Sequence, residues 1–251
     1  MKINYMSDLH LDIASMADVY NEEAADILVV AGDLAEHPSG LDWLKRQATR
    51  YEHVLYVLGN HEFYGNEFEF VAPDVREKLI NTNITLLDNN VFTYKDVVFI
   101  GSVFWTNFNK ADPLAMWHCS RGLSDYTQIK HKGKSITPEF ILEQHYTATA
   151  FVMNEVDKYT NSDKKMVVIT HHAPSQMAYE GSIYKGDILN SGFASEYFDF
   201  VFESKIHSWI YGHLHDAHSY TIGDTNLHIN ARGYFGHEHV PGFSVNKCIE
   251  V

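Results

Sequence analysis

Acidic, amide and histidine side chains follow short apolar runs at five separate places in this sequence. Each run has the length and the β-branched content of a buried strand, so these polar residues are expected where strands end. Their donor atoms are oxygen and imidazole nitrogen without a thiolate, a set that suits Mn, Fe or Zn and, less well, Mg. The residues are Asp8, His10, Asp33, Asn60, His171, His213 and His215.

The number of these donors indicates more than one ion. Seven side chains exceed what a single ion with open coordination positions can use, whereas two divalent ions about 3.5–4 Å apart, with a shared carboxylate, would use them all. Residues two apart in a strand point the same way, so Asp8 with His10, and His213 with His215, can each present two ligands on one side. The sequence therefore predicts a dinuclear metal centre.

The elements that must position these residues begin as alternating strands and helices. Continuous apolar runs are typical of parallel strands buried on both faces, and ligand sites gather at the carboxyl ends of such strands. Helices are expected between them, one over residues 15–25 and one that begins near Pro38. The strands are expected at residues 3–6, 27–31 and 54–58.

The middle of the chain is less regular. Residues 66–81 are expected to be helical in part, with a break at Pro73, and two of the strands that follow could form a hairpin. Residues 104–135 lack a regular pattern and are interpreted as an irregular, lid-like segment. A further helix is expected from Thr137. The remaining strands are expected at residues 84–87, 91–94, 97–101, 166–170, 208–211, 219–222, 227–229 and 243–251.

Composition limits the classes of function. A chain of 251 residues with 45% hydrophobic content can bury a full core, and residues 1–251 are expected to form one α/β domain. The net charge of −14 opposes binding modes that neutralise many phosphates, so nucleic acid is not the expected partner. Two cysteines, no apolar leader and no apolar run near the roughly 20 residues that span a bilayer predict a cytoplasmic protein without a membrane role.

Taken together, the five motifs resemble those of one known family. The calcineurin-like metallophosphoesterases carry, in this order, D-x-H, G-D-x-x-D, G-N-H-[DE], a histidine after a strand, and G-H-x-H. The resemblance spans residues 8–215 and implies a four-layer α-β-β-α sandwich of two mixed sheets flanked by helices. The matching segments are Asp8-Leu9-His10, Gly32-Asp33, Gly59-Asn60-His61-Glu62, His171 and Gly212-His213-Leu214-His215.

The resemblance also implies a role for each motif residue. His61 would be the acid that protonates the leaving oxygen, or that stabilises the charge developing on it. Glu36 stands where the family has the second aspartate of G-D-x-x-D, and it would orient His61 with a longer arm. The implied ligands are Asp8, His10, Asp33 and His215 for a first ion and Asn60, His171 and His213 for a second, with Asp33 bridging the two.

Two further residues are candidates for contact with substrate. His171 directly follows its strand and is preferred as the ligand, which leaves His172 to support the metal site or to contact substrate. Residues 230–234 resemble an N-P-R-G-Y stretch of one bacterial subgroup, with Ala231 in place of proline. Within them, the guanidinium of Arg232 could clamp a phosphate or form an ordinary salt bridge.

These features predict a phosphoesterase that hydrolyses a small soluble phosphomonoester or phosphodiester, such as a nucleotide. The ions would lower the pKa of a bound water so that hydroxide attacks phosphorus in line. Carboxylates such as Glu62 and Asp216 could fix the tautomers of the ligating imidazoles. Two alternatives stay open: a nuclease acting on short or single-stranded ends, which would need a basic, aromatic groove, and a non-catalytic scaffold that keeps the fold.

Overall fold

The computed structural model describes residues 1–180 and 182–251, and two large sheets dominate it. The strands are β1 (Lys2–Met6), β2 (Ile27–Ala31), β3 (His53–Val57), β4 (Ile84–Leu86), β5 (Asn90–Tyr94), β6 (Val97–Ser102), β7 (Lys130–His131), β8 (Lys134–Ser135), β9 (Lys165–Thr170), β10 (Ile206–Tyr211), β11 (Ser219–Ile222), β12 (Thr225–Ile229) and β13 (Cys248–Glu250). The helices are α1 (Leu41–Ala48), α2 (Phe68–Lys78), α3 (Phe108–Ala111), α4 (Pro113–Gly122), α5 (Asp125–Gln128), α6 (Pro138–Tyr159) and α7 (Phe198–Glu203).

Both sheets are mixed, with parallel strands at their centres. The first sheet has the order β13-β1-β2-β3-β4, in which only β13 runs antiparallel to its neighbour. The second sheet has the order β11-β12-β10-β9-β6-β5, with β11 and β5 as antiparallel edge strands. The predicted hairpin is confirmed as β5 and β6. The carboxyl ends of β1, β2, β3, β9 and β10 each lead into one of the five motifs.

The two sheets pack face to face, and helices cover their outer faces. Val29 of the first sheet and Val167 and Ile210 of the second belong to one buried cluster between the sheets. Alternate residues face outward, where Val30 packs in the cluster that includes α1 and α2 and Val168 in the cluster that includes α6. Full burial of each such side chain stabilises the fold by about 1.5–3 kcal/mol. The alternation therefore stabilises the packing on both faces of each sheet. The predicted four-layer α-β-β-α sandwich is confirmed.

The structure corrects two predictions about helices. Residues 15–25 form no helix, because their backbone groups bond to other parts of the chain: Gln47 Oε1 accepts from the amide of Val19 at 2.9 Å. Helix α2 runs through Pro73 without ending there. Proline removes one backbone hydrogen bond, and Val71 and Val75 on either side of it are buried in the core.

Residues 104–135 are ordered rather than irregular, which corrects the lid-like interpretation. Helix α4 begins with Pro113 and is capped by Asp112, whose carboxylate accepts from Leu114 N at 2.7 Å. Its Cys119 is fully buried. Helix α5 and the β7–β8 hairpin follow. None of the helices within residues 1–180 and 182–251 has both the length and the apolar character that crossing a bilayer requires.

Candidate metal centre

The five motifs converge where the carboxyl ends of the central strands meet. We call the seven residues they contribute the ligand cluster: Asp8, His10, Asp33, Asn60, His171, His213 and His215. Donor atoms of six of them, together with His61, fall into three overlapping groups in which all atoms lie within 4.8 Å of one another: Asp8, His10 and His215; Asp33, His171 and His213; and His10, Asp33 and His61.

One half of the ligand cluster surrounds His10. Its Nε2 lies 3.1 Å from Nε2 of His215 and 3.8 Å from Oδ2 of Asp33. His215 Nε2 is in turn 3.6 Å from Oδ1 of Asp8. The opposite ring nitrogen of His215 pairs with Glu238 Oε1 at 2.5 Å, and this contact leaves Nε2 free to act as a ligand.

The other half surrounds His171. Its Nε2 lies 3.1 Å from both Asn60 Oδ1 and His213 Nδ1 and 3.4 Å from Oδ1 of Asp33. Asp33 therefore faces both halves, one through each carboxylate oxygen. This is the arrangement that a bridging carboxylate requires.

The donor chemistry of this half fits a cation. His171 Nδ1 lies 2.9 Å from the carbonyl oxygen of Ala31 and donates its proton there, so Nε2 is the nitrogen that would present a lone pair to an ion. Asn60 donates through Nδ2 to Asp125 at 2.8 Å, which turns Oδ1, also an acceptor, toward His171. Lone pairs of nitrogen and oxygen thus converge on one point, where a divalent ion would satisfy all of them.

The electrostatics of the ligand cluster are those of a site that needs positive charge. Burial lowers the pKa of His10 to about 3 and the pKa of His213 well below its usual value, so both rings are neutral and ready to bind metal. Burial also opposes charge on His171, but the Asp33 carboxylate overrides it and raises the pKa of His171 to about 10. Without an ion, a proton on His171 balances Asp33, and a cation would replace that proton.

The backbone brings the ligands together in an unusual conformation. Asp8 has φ of 53° and His10 has φ of 44°, and the other three left-handed members of the ligand cluster are Asp33, His213 and His215. The predicted ligand pairs therefore converge through left-handed turns just beyond the strands, and not through the side-chain alternation of a strand. Such conformations cost non-glycine residues on the order of 1 kcal/mol or more each.

Two motif glycines allow the loops to approach so closely. A Cβ atom on Gly59 would lie 2.1 Å from Oδ1 of Asp33. Gly32 has φ of 89°, and a Cβ atom there would lie 2.2 Å from Nδ1 of His171. Any larger residue at either position would displace a ligand.

Glu62 anchors two of these loops through backbone amides. Its carboxylate accepts from Gly59 N at 2.7 Å, from Leu34 N at 2.7 Å and from Asp33 N at 3.2 Å. Burial and the nearby Asp33 charge raise the pKa of Glu62 to about 7. The prediction that Glu62 fixes an imidazole tautomer is therefore wrong, and Asp216 likewise pairs with His218 rather than with a predicted ligand.

His61 reaches the edge of the ligand cluster. Its ring stacks on Tyr64 with centroids 4.2 Å apart, and its Nε2 lies 3.1 Å from the Tyr234 hydroxyl and 3.9 Å from Asp33 Oδ2. Its Nδ1 is buried and has no hydrogen-bond partner in the described part of the chain. This position suits a proton donor beside the metals, and the assignment stays a prediction because the third donor group also includes His61.

The structure corrects three weaker site predictions. The side chain of Glu36 is exposed and makes none of the hydrogen bonds found in the described residues, so it does not orient His61. His172 is buried, packs its ring 4.3 Å from that of His213 and does not line the cavity, so contact with substrate is excluded and support of His213 is the predicted alternative that fits. Arg232 donates to the carbonyls of Leu9 and Ala14 at 2.8 and 2.7 Å, so its guanidinium holds a loop.

Sequence reasoning missed several supporting residues. Asp125 of α5 accepts hydrogen bonds from Asn60 and from the Tyr64 hydroxyl, the latter at 2.7 Å. No motif marks Asp125, because it contacts the ligand cluster only through the fold. Tyr234 could have been found, since it ends the N-P-R-G-Y-like stretch. Glu238 has no comparable signal.

A cavity of about 450 Å³ opens beside the ligand cluster. Its lining includes five of the motif residues: Asp33, Asn60, His61, His213 and His215. We call five apolar or aromatic residues of the same lining the pocket wall: Leu123, Tyr179, Tyr184, Leu189 and Phe193. Cavities of this size accommodate small organic ligands.

Comparison with known proteins identifies the family. The family described as calcineurin-like phosphoesterase matches residues 1–217. The chain belongs to this family. A calcineurin-like phosphoesterase is a phosphoric ester hydrolase, and family membership gives no support to the alternative of a non-catalytic scaffold.

Individual relatives extend over nearly the whole chain. An uncharacterised protein of Acanthamoeba polyphaga mimivirus is 26% identical over an alignment of 264 positions, which covers 92% of this chain and 91% of the relative. Among solved structures, phosphopantetheinyl hydrolase from Mycobacterium tuberculosis has a TM-score of 0.70 and 17% identity over 93% of this chain and 89% of that one. A dimetal phosphatase from Danio rerio has a TM-score of 0.51 and 13% identity, with 95% and 90% covered. At such identities the solved structures show a shared calcineurin-like phosphoesterase fold.

Proposed function

We propose that this calcineurin-like phosphoesterase uses two divalent metal ions to hydrolyse a small soluble phosphomonoester or phosphodiester. The observation that carries the proposal is the position of Asp33. One of its oxygens lies 3.4 Å from Nε2 of His171 and the other 3.8 Å from Nε2 of His10, so one carboxylate connects both halves of the ligand cluster.

Each half would hold one ion. Asp8, His10 and His215 would bind the first, and Asn60, His171 and His213 the second, with Asp33 shared. The neutral imidazoles and hard oxygens suit Mn, Fe or Zn, and Mg less well. Bound ions of this kind lower the pKa of water and offset charge on phosphoryl oxygens.

The side chains of the protein would then position and protonate the reactants. Water adds to phosphorus, the bond from phosphorus to the alcohol oxygen breaks, and that oxygen takes up a proton. His61 is the proposed proton donor, because it lines the cavity and its Nε2 lies 3.9 Å from Asp33 Oδ2 and 3.1 Å from the Tyr234 hydroxyl. Asn60 contributes a neutral oxygen, so it adds no charge that would weaken the attraction for phosphate.

Metal removal and reloading test this proposal. The chelator-stripped protein is assayed with Mn, Zn, Fe and Mg on a panel of mono-, di- and cyclic phosphoesters. We expect hydrolysis to need added metal and to saturate at two ions per chain. Saturation at one ion, or full activity in the stripped protein, would contradict the dinuclear centre.

Asp33→Asn is the sharpest variant, because it removes the negative charge and replaces one of the two oxygens that face the two halves of the ligand cluster with an amide NH2 group. We expect reduced metal content and a loss of kcat of at least about 10³-fold. Asp157→Asn, at an exposed position on α6, is the matched control and should hydrolyse like the parent. Parent-like hydrolysis by Asp33→Asn would overturn the site assignment.

A further inference from the structure

The pocket wall differs chemically from the ligand cluster in the same cavity. It combines Leu123 and Leu189 with the aromatic rings of Tyr179, Tyr184 and Phe193. The Phe193 ring also stacks on His213 with centroids 4.6 Å apart. An apolar surface therefore begins directly beside the proposed metal ligands, where the alcohol part of a phosphoester would lie.

No lysine or arginine lines this cavity within residues 1–180 and 182–251. The cations nearest in the sequence are engaged elsewhere: the Arg121 guanidinium stacks on Trp117 at 5.3 Å, and Lys185 Nζ pairs with Glu180 at 2.7 Å. A second anionic group on a substrate would consequently find no positive partner in the pocket.

Two carboxylates line the cavity together with the pocket wall, those of Asp125 and Asp187. Asp187 is exposed, so its carboxylate can meet a ligand directly. Asp125 is buried beside Asn60 and accepts hydrogen bonds from Asn60 and Tyr64, although burial raises its pKa. Like charges brought together in a partly enclosed site repel strongly.

We propose that this pocket takes the alcohol portion of a phosphoester whose body is apolar or aromatic and carries no negative charge beyond the reacting phosphoryl group. The inference rests on the proposed function and narrows its substrate class. The volume of about 450 Å³ limits the alcohol to a small molecule. Polyphosphates, oligonucleotides and carboxylated alcohols are disfavoured by their additional charge.

Three aryl phosphates of similar leaving-group acidity test, on the metal-loaded enzyme, whether a negative charge on the alcohol portion slows hydrolysis. The neutral ester is 4-propylphenyl phosphate, the anionic ester is 4-(2-carboxyethyl)phenyl phosphate, and the cationic ester is 4-(2-trimethylammonioethyl)phenyl phosphate. Two methylene groups separate each charge from the phenol and keep the leaving-group acidities similar, so differences in kcat/KM report mainly on how the pocket interacts with the charge. We expect the neutral and cationic esters to exceed the anionic ester by at least about tenfold. Equal or faster hydrolysis of the anionic ester would overturn the inference.

A charge added to the pocket wall provides an independent check. Tyr184 is 62% exposed, so replacing it should leave the fold intact. Tyr184→Lys should raise the ratio of anionic to neutral kcat/KM by about threefold or more, and Tyr184→Gln, which is uncharged, should leave that ratio at the parent value. An unchanged ratio in Tyr184→Lys would count against a charge-selective pocket.

The two proposals fail in different ways. If none of the three esters is hydrolysed under any metal condition while the protein is folded, the proposed hydrolysis itself is wrong. If all three are hydrolysed in a metal-dependent manner with the anionic ester preferred, the hydrolysis stands and only the substrate class is wrong.

Discussion

The ligand cluster and the pocket wall line the same cavity, yet they are built in different ways. The ligand cluster comes from loops that directly follow five central parallel strands, and each loop is fixed by backbone hydrogen bonds, such as Gly212 N to His171 O at 2.9 Å. The pocket wall comes from segments after α4 and between β9 and α7, where short 3-10 helices replace strands.

This difference separates chemistry from selectivity within the same cavity. Strand ends are fixed by the sheets on both sides, so side chains there keep the geometry that metal binding needs. Loops and short helices tolerate sequence change at lower cost and can alter the shape and charge of the pocket. Changes in the ligand cluster should therefore affect kcat and metal content, and changes in the pocket wall should affect the choice of substrate.

Among the variants that test this division between the ligand cluster and the pocket wall, the largest effect on kcat is expected at His61. His61→Ala should lower kcat by about 10²–10⁴-fold, because it removes a positioned proton donor, while both metal ions remain bound. Steady-state kinetics and metal analysis on the same preparation measure the two quantities. Loss of one ion would show instead that His61 is a ligand, in the group with His10 and Asp33.

Tyr234→Phe is the matched control for this experiment. It keeps the aromatic ring, whose centroid lies 4.5 Å from that of His10, and removes only the hydroxyl beside His61 Nε2. We expect kcat to fall by at most about tenfold. A loss as large as that of His61→Ala would assign the proton donation to Tyr234.

A smaller effect is expected at Asp125, which lies on the pocket side and supports the ligand cluster. Asp125→Ala should weaken binding of one metal ion by about 10–100-fold, because the Asn60 amide loses the acceptor that turns Oδ1 toward His171. Competition with a chelator measures this affinity.

Asp125→Asn distinguishes orientation from charge. Its side-chain oxygen can still accept from Asn60 and Tyr64, so metal affinity should stay close to the parent value. If Asp125→Asn bound metal as weakly as Asp125→Ala, the negative charge rather than the hydrogen bond would be what matters.

The smallest expected effect is on the pH dependence of the free energy of unfolding. It comes from a histidine that contacts the first residue of the 104–135 segment. His145 of α6 donates from Nδ1 to the Phe104 carbonyl at 2.8 Å. Burial lowers the pKa of His145 below its ordinary value of 6.5, so the unfolded chain binds a proton that the folded chain excludes. The neutral His145 ring contributes fully to the free energy of unfolding above pH 6.5. This contribution is lost as pH falls from 6.5 toward the folded-state pKa, by at most about 1.4 kcal/mol per pH unit.

Urea unfolding of the metal-stripped protein between pH 7 and pH 5 measures this term. His145→Asn keeps a donor for Phe104 but cannot be protonated, so its free energy of unfolding should depend less on pH than that of the parent. His239→Asn, at an exposed position, is the control. An identical slope in the parent and in His145→Asn would exclude the contribution.

The seven residues of the ligand cluster could be selected from the sequence alone, because each motif is local. An apolar strand followed by Gly and polar residues is visible in a few consecutive positions, and Gly59 and Gly32 are needed where a Cβ would meet Asp33 or His171. Parallel strand order then brings such ends together. The fold class followed from the same runs.

Other features depended on contacts that no local pattern records. Glu36 occupied a motif position, yet its side chain points to solvent, and Asp125 supports Asn60 from a segment 65 residues away. Arg232 was a reasonable phosphate ligand until its partners proved to be the carbonyls of Leu9 and Ala14. Helix α4 could have been predicted, since Asp112 followed by Pro113 is a signal for the start of a helix.

The left-handed backbone of the ligand cluster has a consequence for how this enzyme evolves. Five of its seven members, among them Asp8 and His215, hold positive φ without being glycine. Glycine would relax the backbone at each of these positions, at the cost of the side chain and, at Asp8 and Asp33, of the carboxylates that accept from His213 N and His61 N. Under the proposed metal-binding role, selection for hydrolysis would keep aspartate and histidine in a conformation that glycine adopts at lower cost. In a lineage released from that selection, these positions should be among the first to change.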